Sequence, residues 1–425
     1  MCMLQTIRGM RDLEPQLARK KNFVLGICKS VFEKYGFKPI ETPAVEYLEL
    51  LTKKGSAGAE IEKEIYAFED KSNRKLGLRF DLTVPLARYV ASNPTLRLPF
   101  KRYQIGSVYR YDRPQEKRYS EFTQADIDIV GTESILAEFE IIAVVIETCQ
   151  KIGLKNFYVK INSRKLLEEI AKCCNIPNDK IKECFRCIDK LDKIGWEGVQ
   201  KELQAYGLDT KICEIVKNNN FESTIKMIEK GKGNSECIKE LKELFELLKK
   251  FSLDKYVKLD LSLARGLEYY TGIVFEIVAD GPSIGGGGRY DKLIGTYGSK
   301  DVPAVGISFG IDRVIDNMQK DFGTESKIFI IPANENVRIQ SLEFVQELRE
   351  NNIASEIDLM DRNISKNLDY ANKEGIPFVI VLGDKELKEK KFSLKDMKTG
   401  KETLLKLDEI GKLKEIIEKY SKGYK

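Results

Sequence analysis

The chain has 425 residues and no histidine. That absence removes imidazole acid–base catalysis and every histidine metal ligand. Chemistry near neutral pH must then fall to carboxylates, guanidinium groups, phenols or thiols. Transfers at phosphorus, which depend mainly on positioning and charge stabilisation, suit that inventory. Long apolar runs are missing as well. No window reaches the roughly 18 apolar residues of a membrane helix. The opening stretch MCMLQTIRGMRDLEPQ carries acids and no apolar signal core, so cytoplasmic residence is expected. A strong charge of one sign is also lacking. The 71 basic and 66 acidic residues leave +5, which permits an RNA partner without demanding one. Nine scattered cysteines, an odd number, fit reduced thiols better than a disulfide framework.

What is present divides the chain by character. Apolar residues at helical spacing (Leu17, Phe23, Val24, Ile27, Val31, Phe32) predict a helix over 15–35. In FKPIETPAVEY, Pro39 and Pro43 predict an extended edge. IYAFE and LGLRF read as short strands. DLTVPLARYVAS, from Asp81, reads as a turn into a helix, with Thr83 as cap. FKRYQIGSVYRYD and YSEFTQADIDIVG are two strand candidates joined by RPQEKR, and a long amphipathic helix follows through Cys149. Residues 165–250 turn helical and rich in lysine and glutamate, which reads as an inserted module. Strand character returns near Tyr256. From about Phe322, KIFIIPA, SEIDL, FVIVLG and FSLKDM alternate with helical stretches, which argues for a small α/β domain with a mixed sheet.

Several stretches could carry chemistry. Gln124, Asp126 and Asp128 share one face of a strand by period two, with Ile127 and Ile129 on the other. The bland reading is a solvated sheet face. Against it, Arg110 and Asp112 on the preceding strand would join them on a common floor fit for a small molecule. GGGGRYD, at 285–291, signifies on its own only a tight loop. Arg313 falls in the first turn of a helix after GISFG, where an anion would suit it. Cys184 and Cys187 have C-x-x-C spacing, with Cys173 and Cys174 upstream. Structural zinc and small core residues on a helix are both open readings there.

Taken in order, these motifs resemble the histidyl-tRNA synthetases, a family of class II aminoacyl-tRNA synthetases, of the archaeal or eukaryote-like kind. FKPIETPAVEY resembles the first class motif, with Pro43 at a dimer interface. VYRYDRPQEKRYSEFTQADIDIVG resembles the second, and VPAVGISFGIDRV the third. LARGLEYYTGIVFE and GGGGRYD resemble the two signatures of histidine specificity. The resemblance implies an α+β fold. A catalytic core with an antiparallel sheet and flanking helices would occupy 1–164 and 251–323. A helical insertion would occupy 165–250, and an α/β anticodon-binding domain 324–425. It implies histidine activation with ATP and transfer to tRNA(His), by a homodimer without membrane attachment, with Mg2+ on the outer phosphates.

The same resemblance implies roles residue by residue. Asp81 and Thr83 would receive the α-amino group of histidine. Gln124 would help place the amino acid, Asp128 would meet the imidazole, and Tyr269 and Tyr270 would line the pocket. Arg110 would grip the α-phosphate and carboxylate, and Arg265 would bridge the same two groups. Arg118 and Arg313 would hold the outer phosphates, and Phe122 would stack on adenine. In the RPQEKR loop, Arg113, Gln115 and Lys117 are candidates for the tRNA acceptor end. Thr123 and Ser120 depart from the residues common in relatives. Three other functions compete: a silent regulatory relative, a tRNA-binding module, and a class II synthetase of another specificity. The presence of Arg265 and of both signatures argues against them.

Overall fold

The computed structural model describes residues 4–53, 63–111, 119–231, 233, 236–264, 269–298, 300–319 and 322–422. They form two compact units, Met1–Lys320 and Asp321–Lys425. The strands of the first unit are, in chain order, β1 (Lys38–Pro39), β2 (Val45–Tyr47), β3 (Ala67–Glu69), β4 (Lys75–Leu78), β5 (Phe100–Tyr109), β6 (Glu121–Val130), β7 (Phe157–Ser163), β8 (Val257–Leu259), β9 (Ile273–Ala279), β10 (Ser283–Arg289) and β11 (Ala304–Gly310). Eight of them form one sheet in the order β1-β5-β6-β11-β10-β9-β7-β8. Its six central strands are antiparallel, and the short edges β1 and β8 pair in parallel. β2, β4 and β3 make a small separate sheet.

The alternation of side chains gives the large sheet two unlike faces. Tyr103, Ile127, Ile129, Val305 and Phe309 occupy one face. There the helices Pro15–Lys34 and Leu136–Ile152 pack, and Phe32 meets the rings of Tyr103 and Phe309. The opposite face carries two transverse rows read from the registers. Arg102, Asp128, Gly306, Gly288, Val274 and Asn162 form one. Gln104, Asp126, Ser308, Gly286, Glu276 and Lys160 form the other.

The glycine run expected as a tight loop is instead β10, a central strand paired on both sides. Glycine is a poor strand former, so its use marks close approach. A Cβ on Gly287 would stand 2.0 Å from the carbonyl oxygen of Gly306, and one on Gly288 2.6 Å from that of Ile273.

Between β7 and β8 the described residues form the helices Arg164–Cys173, Ile181–Asp189, Leu191–Ala205, Lys211–Asn218, Phe221–Lys230 and Glu236–Lys250. Cys184 and Cys187 lie on one of them, buried. Burial pushes their thiols up to about 12 and about 11, so they stay neutral. Among the described residues no group of three or more Cys, Asp or Glu is arranged to hold a metal ion. These cysteines therefore read as small core residues.

The second unit has its own mixed sheet, β13-β12-β14-β15-β16, formed by β12 (Ile328–Pro332), β13 (Ser355–Ile357), β14 (Phe378–Leu382), β15 (Lys391–Asp396) and β16 (Glu402–Lys406). Its first three strands are parallel, because helices Arg338–Glu350 and Ile364–Lys373 make the crossovers. No helix among the described residues is long and apolar enough to cross a membrane.

Candidate active site

A cavity of about 550 Å³ opens over the glycine-bearing face of the large sheet. Asp81, Thr83, Arg110, Phe122, Gln124, Asp126, Asp128, Tyr269, Tyr270 and Arg313 all line it. Every described residue of the implied site is thus brought to one space. Arg265 and the loop residues Arg113, Gln115, Lys117 and Arg118 lie outside the described residues, as does Asp112.

Local structure explains each placement. Helix Thr83–Ala91 begins at Thr83, and Asp81 caps it: Asp81 Oδ1 accepts from the Val84 N–H at 3.0 Å. This corrects the expectation that Thr83 is the cap. An aspartate one turn ahead is the stronger acceptor, and Thr83 is already helical. Capping leaves Asp81 Oδ2 buried without a hydrogen-bond partner. Burial pushes this carboxyl up to about 6, although Arg110 and the Val84 N–H oppose it. Tyr269 and Tyr270 precede β9 and pack edge to face at 4.8 Å, with Tyr290 5.9 Å from Tyr269.

β6 supplies the acid row. Asp128 lines the cavity and is held from two sides. Arg102, wholly buried on β5 directly opposite, places Nη2 2.7 Å from Asp128 Oδ2. The Tyr290 hydroxyl donates to Asp128 Oδ1. Burial raises the Asp128 carboxyl, and the Arg102 guanidinium pulls against it. Gly306 must be glycine here, since a Cβ would stand 2.0 Å from Asp128 Oδ1. Gln124 Oε1 and Asp126 Oδ1 are buried and have no partner. Burial pushes Asp126 up to about 7; Arg102 opposes the rise, and Asp128 adds to it.

Arg110 follows the end of β5. Its Nε donates to the Phe80 carbonyl at 3.0 Å, and its guanidinium lies 5.2 Å from the centre of the Phe122 ring. Phe122 therefore has a cation at its face, and the ring is half-buried rather than core. The Asp312 carboxylate accepts from the Thr123 N–H at 2.7 Å and pairs with Arg11 at 2.9 Å, which ties the start of β6 to helix Ile311–Asn317. Arg313, on that helix, is exposed and donates to the Ser283 carbonyl at 2.8 Å.

Some residues that line or support the cavity escaped the sequence reading. Arg102 shares strand parity with Arg110, so antiparallel pairing with β6 was the signal that could have found it. Tyr290 sat inside GGGGRYD, but a loop assignment hid its direction. Ile188, Asp189, Leu191, Asp192 and Lys193 bring a helix junction from the segment between β7 and β8 to the cavity, and no local pattern announces that. The arrangement offers buried acceptors and phenols over the sheet, with Arg110 and Arg313 also in the lining. That suits a ligand with a cationic group and an anionic one.

The comparisons agree with this chemistry. The family model described as histidyl-tRNA synthetase matches residues 9–314, and the one described as anticodon binding domain matches 327–416. The histidine–tRNA ligase of Clostridium tetani is 41% identical over 438 residues, covering 95% of this chain and 96% of that protein. The histidine–tRNA ligase of Aeropyrum pernix is 40% identical over 395 residues, covering 89% and 90%. The crystal structure of histidyl-tRNA synthetase from Nostoc sp. PCC 7120 superposes with a TM-score of 0.84 at 31% identity, covering 98% of this chain and all of that one. With a family match over more than half its length and these relatives along nearly all of it, the chain belongs to the histidyl-tRNA synthetase family.

Proposed function

We propose that the cavity over the large sheet activates histidine with ATP, and that the chain then transfers the histidyl group to tRNA(His). The observation that carries this reading is the lining itself. Buried acceptors for an amino acid and the Arg110 guanidinium share one cavity, in a chain of this family. The carboxylate of the amino acid is already ionised near pH 7 and attacks the α-phosphate without a general base. Pyrophosphate leaves. Charge gathers on the non-bridging oxygens, and a rigid guanidinium meets it with directed hydrogen bonds. Arg110 and Arg265 take that part. Asp81, Thr83 and Gln124 hold the amino acid, Asp128 faces the imidazole, and Tyr269 and Tyr270 close the pocket. Phe122 stacks on adenine, with Arg118 and Arg313 on the outer phosphates.

Magnesium belongs to the reading as an ion carried on the nucleotide's phosphates. The described residues offer no trio of acids to hold it. Arg113, Gln115 and Lys117 read the acceptor end. The four-part division at 164, 250 and 323 is supported by the helices between β7 and β8 and by the separate 327–416 match. A homodimer in the cytoplasm completes the reading. Exposed Val45, Tyr47 and Phe68 on the small sheet support the pairing. The archaeal relatives, among them that of Aeropyrum pernix, support the archaeal or eukaryote-like kind, beside matches from Bacillus and Clostridium.

Amino-acid-dependent exchange of labelled pyrophosphate into ATP tests the function. Histidine alone among the twenty amino acids should support exchange, and Arg265→Ala should lower it at least about a hundredfold with the fold intact. Exchange with another amino acid, or none from folded wild-type protein, would contradict the reading.

A further inference from the structure

Five buried oxygens of the cavity-lining residues have no hydrogen-bond partner: Asp81 Oδ2, Gln124 Oε1, Asp126 Oδ1, Asp128 Oδ2 and Ser308 Oγ. Buried polar groups are nearly always paired, and an orphan costs free energy unless something else satisfies it. Here the orphans are gathered: Asp128 Oδ2 lies against Arg102, the Ser308 hydroxyl faces Asp126 and favours its ionised form, and the other three are acceptors only. Gln124 and Asp126 stand two apart on β6, on one face. Asp81 lies close enough to Asp126 that its carboxylate makes Asp126 harder to ionise. An ammonium group carries three N–H donors and one positive charge, which matches three acceptors and two carboxylates.

Asp128 is unlike them. Its two oxygens already face the Tyr290 hydroxyl and the Arg102 guanidinium. We propose that Asp126 is a substrate-binding residue that receives the amino acid's ammonium group, completing a three-acceptor cradle with Asp81 and Gln124. This rests on the reading of the cavity as a histidine site.

The surroundings of Asp126 favour a residue that waits for a cation. Arg79 and Arg102 approach from its β5 side, but the Arg79 guanidinium is engaged by Thr42 and the Ser107 carbonyl, and Arg102 is paired with Asp128. Ser308 faces Asp126 across β11, and Asp81 and Asp128 add negative charge. No cation in this set reaches Asp126 Oδ1. A ligand ammonium would bring the missing charge and favour the ionised acid.

Binding of three probes to wild-type and Asp126→Asn protein, followed by titration calorimetry without ATP, separates the possibilities. The probes are histidine, histidinol, which keeps the ammonium and lacks the carboxylate, and 3-(imidazol-4-yl)propionate, which lacks the ammonium. Asp126→Asn should weaken histidine and histidinol at least about tenfold, as expected for loss of one charge-assisted hydrogen bond. It should leave the propionate within about twofold. Equal loss for all three would move Asp126 to the imidazole, and no loss for histidinol would remove it from the site. Either result overturns the proposal. The amide is isosteric with the protonated acid that the fold already tolerates, so an Asp126→Asn chain that fails to fold would assign the carboxylate to the framework, and that also overturns it. Wild-type protein that binds neither histidine nor histidinol would instead defeat the histidine reading beneath it.

Discussion

The two large sheets of this molecule are built from similar strands and put them to opposite use. In the second unit both faces are apolar. Ile328, Ile330, Ile380, Leu382, Phe392 and Leu394 fill one core cluster, and Phe329, Ile331 and Val379 another. In the first unit one face is equally apolar, but the other sets Arg102, Asp126 and Asp128 beside a strand of glycines. A buried ion pair is a weak source of stability, because desolvation offsets much of the attraction. Glycines add further backbone entropy cost. The second sheet is therefore organised for stability, and the polar face of the first for a ligand that supplies the missing partners.

Breaking the ion pair should have the largest effect. Arg102→Met leaves Asp128 buried without its cation, and a loss of about 3–5 kcal/mol in the stability of the first unit is expected. The single tryptophan, Trp196, belongs to that unit, so urea unfolding followed by its fluorescence reads the change. An unchanged midpoint would mean that the pair does not hold this face together. Next comes a cavity in the other sheet. Ile380→Ala should cost roughly 2–5 kcal/mol. It should lower the unfolding temperature of the second unit by circular dichroism, yet leave histidine-dependent pyrophosphate exchange near the wild-type rate. A parallel fall in exchange would show that the two sheets do not divide the labour in this way.

The smallest effect sharpens the contrast through pH. Burial raises Asp81 to about 6 and Asp126 to about 7. Aspartate in an unfolded chain titrates near 4. A raised folded value means that the native state binds the proton more tightly, so this contribution is complete below about pH 4 and is lost as pH climbs through 6 and 7. Urea midpoints for the first unit should fall from pH 5 to pH 8. Asp126→Asn should flatten the slope, by on the order of 2–3 kcal/mol across that range. A wild-type slope no steeper than the variant's would mean that Asp126 is not held in a raised state.

Local chemistry made much of this legible in the sequence. The period-two spacing of Gln124, Asp126 and Asp128 placed them on one face, and the alternation after Phe322 announced a mixed α/β sheet. What local chemistry could not supply was pairing. Arg102 meets Asp128 only because β5 and β6 align in one register out of several. The β10 glycines looked like a loop because glycine has little strand propensity, and only the crowding by β9 and β11 explains them. Thr83 has the residue type of a helix cap, but Asp81 two residues earlier reaches the Val84 N–H instead. The helix junction at 188–193 reaches the cavity through tertiary packing that no spacing encodes.

The proposed amino-acid pocket is the polar face of the first sheet. A crystal structure with histidinol tests it most directly. The ligand's ammonium is expected within about 3.2 Å of Asp81 Oδ2 and Gln124 Oε1, with the imidazole beside the tyrosines. Histidinol ordered at a different surface, with this cavity holding only water, would contradict it.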